Sequence, residues 1–258
     1  MRKIYQTLFN GLIILVSSCG FIFAFATAAR LITFLSSIPS DIYDKEEKEG
    51  SEGSTLWALT INMALLCSFM FQHSVMAKPL LKKAIYSSTF QVIERSIYII
   101  VTSFVLQCVM KYWQPIVWIK LWHFDTSGTL MWSAFTAVHC IAWAMIYVGV
   151  LMMDIAELLG VKQIYYNLRG LPDPLSLKSI ELRRLYRHMR HPSFTAFCLL
   201  FWIFPVMSLD RLILAVLWTL YMMVAWNVDH FDYIYQSQQL KRKMFEMENS
   251  KITHIYYS

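Results

Sequence analysis

Six stretches of this chain are free of charged side chains: Ile4 to Ala29, Thr55 to Met76, Ser96 to Met110, Leu130 to Met153, Ser193 to Ser208 and Leu212 to Val228. A helix that crosses bilayer hydrocarbon needs roughly 20 apolar residues, so the first, second and fourth qualify outright. The third is short, and the pattern lets it extend back over Glu94 and Arg95. Only Leu209, Asp210 and Arg211 separate the last two, which predicts a tight helical hairpin. The expected fold is all-α, a polytopic membrane bundle of six transmembrane helices. A single domain would fill residues 1–240. It would carry a loop at 40–54, amphipathic helices at 154–191 and a polar tail at 241–258.

Composition agrees with a membrane protein. Hydrophobic residues make up 57% of the chain and charged ones 16%, with a mean hydropathy of +0.45. Soluble domains average about 25% charged. The many Trp, Tyr and Phe residues suit aromatic belts at the two interfaces. The first stretch opens on Arg2 and Lys3, and Ala26-Thr27-Ala28 resembles a cleavage site. Its apolar run far exceeds the roughly 7–15 residues of a secretory core, so we read it as a retained anchor.

Six spans put both chain ends on one side. That side takes seventeen of the 23 lysines and arginines, while the other receives the acidic run DIYDKEEKEGSEGS. Basic loops stay in the cytosol, so both termini are expected there and the acidic loop in the lumen. The net charge of +6 is thus a topology signal. The basic residues form no single stripe and no nucleic-acid-binding motif appears, so no nucleic-acid partner is expected.

Cys19, Cys67, Cys108, Cys140 and Cys198 all fall inside apolar stretches without metal-like spacing, and are expected to be buried structural thiols. No metal site is expected: His188 and His191 are three apart but have no further ligand nearby. The segment WQPIVWIKLW, Trp113 to Trp122, is expected to lie along the lumenal interface as a short amphipathic element.

Candidate chemistry gathers on the basic side. DIAELLGVKQIYYNL places Ile155, Leu158, Leu159, Ile164 and Tyr165 on one helical face, interrupted at Gly160 as a cap or close-contact point. SIELRRLYRHMRHP follows, with Ser179 as N-cap and Glu181 in the first turn. Arg183, Arg187, Arg190 and His191 recur at spacings of three and four, which gives them one face. Guanidinium groups in that pattern hold carboxylate or phosphate. They equally form a cytosolic collar on anionic lipid headgroups. Further polar groups stand at helix ends on the same side: Gln72 and His73, Glu94 and Arg95, Asp154 and Glu157, and Asp229, His230 and Asp232. Ionisable groups so close to hydrocarbon pair with one another or face a water-filled cavity. Glu94 and Arg95 could neutralise Arg190 and Asp154 across the bundle.

FQHSVMAKPLLKK, ERSIYIIVTSFVLQCVMKYWQPIVW, DIAELLGVKQIYY and LYRHMRHPSFTAFCLLFWIFPVMSLDRLILAVLWTLY together resemble the nurim family of multi-pass inner nuclear membrane proteins, over residues from about 55 to 235. The same blocks are similar to bacterial methanethiol S-methyltransferases and, more distantly, to isoprenylcysteine carboxyl methyltransferases. The resemblance implies an isoprenylcysteine methyltransferase-like bundle with a pocket at the cytosolic face. In the enzymes the pocket holds S-adenosylmethionine against an arginine-histidine-proline turn and a paired-glutamate helix. Here Tyr186, Arg190, His191 and Pro192 match the turn. Phe194 and Ala196 stand where the enzymes favour tyrosine and glycine, and Asp229 and His230 stand where they carry the two glutamates.

The resemblance therefore implies an inner nuclear membrane protein of the nuclear envelope, whose termini face cytosol or nucleoplasm. Its partners would be the bilayer, anionic lipid headgroups and the nuclear lamina. Loss of carboxylate contacts to a cationic ligand points to a non-enzymatic protein with a remnant pocket, no cofactor and no assigned catalytic residue. Two other readings stay open. One is an S-adenosylmethionine-dependent methyltransferase acting on a thiol or a small or lipidic nucleophile, its cofactor gripped by Tyr186, Arg190, His191, Asp229 and His230. The other is a lipid-binding protein using the same cavity, lined by Gln72, His73, Glu94, Arg95 and Asp154.

Overall fold

The computed structural model describes residues 2–37, 52–78, 90–179, 193–225, 233–234 and 237–245. Helix α1 spans Arg2–Ser36, α2 Glu52–Ala77, α3 Glu94–Tyr112 and α4 Thr129–Met152. These four are long and apolar enough to cross a membrane. Short helices α5 (Ile155–Leu158) and α6 (Val161–Leu168) follow, then α7 (Phe194–Trp202) and α8 (Leu209–Ala225). Strands β1 (Lys120–His123) and β2 (Val206–Ser208) form a small antiparallel sheet.

Side-chain pairs fix the helix directions. Helices α1 and α3 run parallel: Gly20 lies against the Ser96 carbonyl, and Arg30 donates to Gln107 at 2.8 Å. A Cβ on Gly20 would sit 3.3 Å from that carbonyl, so the missing side chain lets the two backbones approach. Helix α2 runs the other way, with Asn62 donating to the Gln114 carbonyl and Gln72 donating to Thr102. Helix α4 opposes α1: its His139 and Trp143 reach Ser36 at the end of α1, and its own end leads into α5, whose Leu158 carbonyl meets Arg95 at the start of α3. Helix α7 runs back from Ser193, near Gly149, to Ile203, whose carbonyl meets His139. Helix α8 returns, with Asp210 bound to Trp113 and Tyr221 beside Ser74. One end of the bundle thus holds the start of α1, the end of α2, the start of α3, helices α5 and α6, and the end of α8. Lys78, Arg95, Lys162, Arg169 and Lys178 lie at this charged end.

The core joins Leu35, Leu66, Val109, Ala142, Leu200, Phe201, Leu214 and Trp218 from α1, α2, α3, α4, α7 and α8. A second cluster, Ile13, Ile93 and Ile164, clamps α6 onto α1 and α3 at the charged end. The outward faces carry large apolar side chains in the open, among them Leu15, Ile22, Phe71, Phe104 and Tyr147. Water would not tolerate that much contiguous apolar surface, whereas hydrocarbon does.

The structure departs from the sequence reading in several places. The fifth apolar run is not one helix: α7 ends at Trp202. Pro205 lacks an N–H and disfavours helix at the residue before it. The chain continues extended, and β2 pairs with β1, with Phe124 N donating to Pro205 O at 2.9 Å. Nine helical residues reach about 13 Å. The remainder is extended chain, tolerated because Val206, Met207 and Ser208 are buried in protein with their backbone paired. Leu209, Asp210 and Arg211 form the first turn of α8, not a hairpin turn.

Trp113 to Trp122, expected as a short amphipathic element along the interface, is extended chain and a turn leading into β1. Its three indoles donate inward, Trp113 to Asp210, Trp118 to Thr55 and Trp122 to the Phe204 carbonyl. No cysteine is fully buried: Cys19, Cys67 and Cys140 are exposed on the bundle surface, and Cys108 and Cys198 are half-buried. A thiol is apolar enough to face lipid. Tyr165 also turns outward from α6 while Ile164 packs inward.

Candidate functional site at the charged end

A single 3₁₀ turn, Gln91–Ile93, leads into α3, and Glu94 occupies the first turn, where the helix dipole favours a carboxylate. Arg95 follows. It donates through Nε to the Leu158 carbonyl at 2.8 Å, and its guanidinium lies 5.3 Å from the Tyr98 ring centroid. The expected pairing of Arg95 with Asp154 across the bundle does not form. Arg95 meets a helix-end carbonyl instead, because Leu158 is the last residue of α5 and its oxygen has no helical partner ahead of it.

One turn along α3, the Tyr98 hydroxyl shares a hydrogen bond with His73 Nδ1 at 2.9 Å. His73 stacks on Phe69 and meets Tyr221 edge-on. Ser74 and Tyr221 share a hydrogen bond at 2.9 Å, which ties α2 to α8. Gln72 donates to Thr102 at 3.2 Å, while its Oε1 is buried with no hydrogen-bond partner among the described residues. The site thus combines an imidazole, two phenols, a guanidinium and a free amide oxygen, drawn from α2, α3 and α8.

Helices α5 and α6 pack beside the start of α3, through the Leu158 carbonyl on Arg95 and Gly160 on Ser96. Asp154 takes a left-handed backbone, φ 60°, and accepts from Glu157 N, capping α5. Lys162 binds Asp154 at 2.5 Å, and the buried Glu157 pairs with Lys178 at 2.7 Å. The Lys162 ammonium holds the Asp154 carboxyl below its usual range, and the Asp154 hydrogen bond raises Lys162. Gly160 has φ 84°, and a Cβ there would meet Ser96 Oγ at 2.7 Å. The sequence marked Gly160 as a cap or close contact, and it serves as both.

Of the residues singled out in the sequence, Gln72, His73, Glu94, Arg95 and Asp154 stand at this end, with Asp154 paired locally to Lys162 and not across the bundle. Tyr186, Arg190, His191, Asp229 and His230 lie outside the described residues, as do Arg183, Arg187, His188 and Asp232. Tyr98 and Tyr221 escaped the sequence reading. The three-residue step from Arg95 to Tyr98 on one helix face was the available signal for the first.

Four membrane-length helices around a polar cluster at one end define a multi-pass α-helical membrane protein. No family profile matches the chain, and no solved structure does. Curated relatives do match along nearly its full length. It is 37% identical to a protein named Nurim homolog from Drosophila pseudoobscura pseudoobscura, over 92% of this chain and 96% of that one. It is 36% identical to Nurim of Homo sapiens, over 90% of this chain and 94% of that one. It is 37% identical to Nurim of Xenopus laevis, over 88% of this chain and 84% of that one. The chain belongs to the nurim family.

Proposed function

We propose that this protein is a six-pass protein of the inner nuclear membrane with both ends in the cytosol or nucleoplasm. On this reading it performs no catalysis and keeps a ligand pocket of methyltransferase type at its charged end. The reading is carried by the meeting of Gln72, His73, Arg95, Tyr98 and Tyr221, which come from three helices distant in sequence. Six crossings are supported by the reversal of direction at every longer helix, with α7 and the extended chain after it sharing the fifth crossing. The orientation rests on the skew of basic residues toward the charged end.

The absence of turnover is supported by two departures from the enzymes. Ala196 stands where they favour glycine, and it is 1% exposed, so its methyl occupies packed space. Asp229 and His230 replace the paired glutamates. Losing a carboxylate contact to a cationic ligand costs about 1.5–3 kcal/mol, one to two powers of ten in affinity.

Two measurements test this. A fluorescent fusion of the full chain should concentrate at the nuclear rim; an even reticular distribution overturns the location. Calorimetry and thermal shift with S-adenosylmethionine at millimolar concentration should give no heat and no shift.

The buried Gln72 Oε1, without a hydrogen-bond partner among the described residues, favours a second reading, an S-adenosylmethionine-dependent methyltransferase, because an acceptor on the residue next to His73 suits an amino or cationic ligand. Under it Tyr186, Arg190 and His191 grip the cofactor, and Asp229 and His230 stand in for the lost pair. Saturable heat that disappears in Arg190→Ala, with melting unchanged, would establish binding.

A further inference from the structure

At the bundle end opposite the charged site, a cavity of about 160 Å³ lies between α1, α4 and the chain that follows α7. Phe135, Trp143 and Phe204 give it aromatic walls, and no charged side chain lines it. Its polar atoms are spoken for, with one exception. The Ile203 carbonyl can only accept, so His139 Nε2 carries the proton and donates to it at 2.9 Å. His139 Nδ1 then accepts from the Ser36 hydroxyl at 2.8 Å, and Trp143 Nε1 donates to Ser36 Oγ at 2.8 Å. Thr136, on the same wall, makes no hydrogen bond among the described residues. Cys140 and Ile32 also line the cavity and are exposed on the outer faces of α4 and α1, so it opens sideways toward lipid and not along the bundle axis.

We infer that this cavity binds the end of a neutral membrane amphiphile, with one oxygen of the ligand hydrogen-bonded to Thr136. Three features set the class of ligand. A dry cavity of about 150 Å³ holds a benzene-sized group, so the inserted part has about six to eight carbons. The Arg211 guanidinium stands behind the Phe204 ring, so a cation is repelled, and it is already bonded to the Leu35 carbonyl, so an anion would lose its hydration without a counter-charge among the lining side chains. The sideways opening next to the last turn of α1 puts the ligand oxygen near the level of lipid ester and hydroxyl groups. A lipid hydroxyl and a glycerolipid ester both satisfy this chemistry.

The test uses the full chain in phosphatidylcholine nanodiscs with three photoactivatable probes: a sterol, an acyl-labelled phosphatidylcholine and an ionised fatty acid. Mass spectrometry locates the adducts. One of the two neutral probes should label the segment from Phe135 to Trp143 above the level seen at Phe71, on the exposed face of α2. The sterol would identify the hydroxyl source, phosphatidylcholine the ester source. Thr136→Val keeps the shape and removes the hydroxyl; it should lower labelling about fivefold, the worth of one neutral hydrogen bond. Cys140→Phe fills the mouth and should abolish it. Thermal melts check both variants, and Thr136→Val decides the matter if Cys140→Phe fails to fold. Labelling equal to that at Phe71, labelling indifferent to Thr136→Val, or preference for the ionised fatty acid overturns the inference.

Discussion

Trp113 donates its indole N–H to the Asp210 carboxylate at 2.9 Å, across 97 residues of chain. The same carboxylate accepts from Ile116 N at 3.1 Å and from the Ser208 hydroxyl at 2.6 Å. Asp210 stands in the first turn of α8, is 7% exposed, and so fastens α8 to the loop after α3.

Asp210→Ala strands three donors in a buried place and should cost about 3 kcal/mol. Asp210→Asn keeps acceptor capacity and should cost less. Thermal melts in micelles should rank wild type above Asn and Asn above Ala. Equal melting of wild type and Ala would deny the fastening.

Gly160→Ala meets two penalties, a left-handed backbone worth about 1–2 kcal/mol and a clash with Ser96. Ser96→Gly should relieve only the Oγ clash, since the Ser96 backbone nitrogen at 3.0 Å and Arg95 Cβ at 3.2 Å stay in place. A double-mutant cycle on melting temperature should therefore show partial rescue. Strict additivity would mean that the two residues do not touch.

Asp154 and Lys162 set a pH window. The carboxyl is held low, so its contribution is present above the unfolded value of about pH 4 and fades as pH falls through the folded value. The amine is held high, so its contribution is present below about pH 10 and fades as pH rises through the folded value. The pair is partly exposed, so it is worth under about 1 kcal/mol. Lys162→Met should lower the melting plateau slightly and flatten its acid limb. An unchanged acid limb would count against the pairing.

Tyr98→Phe removes the hydroxyl bound to His73 and should cost about 1 kcal/mol while the ring keeps its place beside Arg95. Arg95→Met should cost more, because it strands the Leu158 carbonyl and frees α5. Melting temperatures, and protease nicking near α5, report the two effects separately. Equal losses would show that α3 holds α5 by packing alone.

The membrane helices were legible because hydrocarbon demands long apolar runs and leaves composition little freedom. The backward extension of the third helix over Glu94 and Arg95 was legible too. The charged end was readable as a set of residues but not as a set of partners. Arg95 could have met Asp154 by charge alone, yet a helix-end carbonyl took it and Lys162 took Asp154.

By itself, then, the sequence determined which segments are apolar enough for lipid and which polar residues stand at their ends, since both follow from local composition. Only the tertiary structure decided where α7 stops, how β1 pairs with β2, and that Asp210 binds Trp113. It also decided which cysteines face outward. Those outcomes depend on what lies across the bundle. A hydrogen bond between residues 97 apart, such as that of Asp210 and Trp113, leaves no periodic trace along the chain.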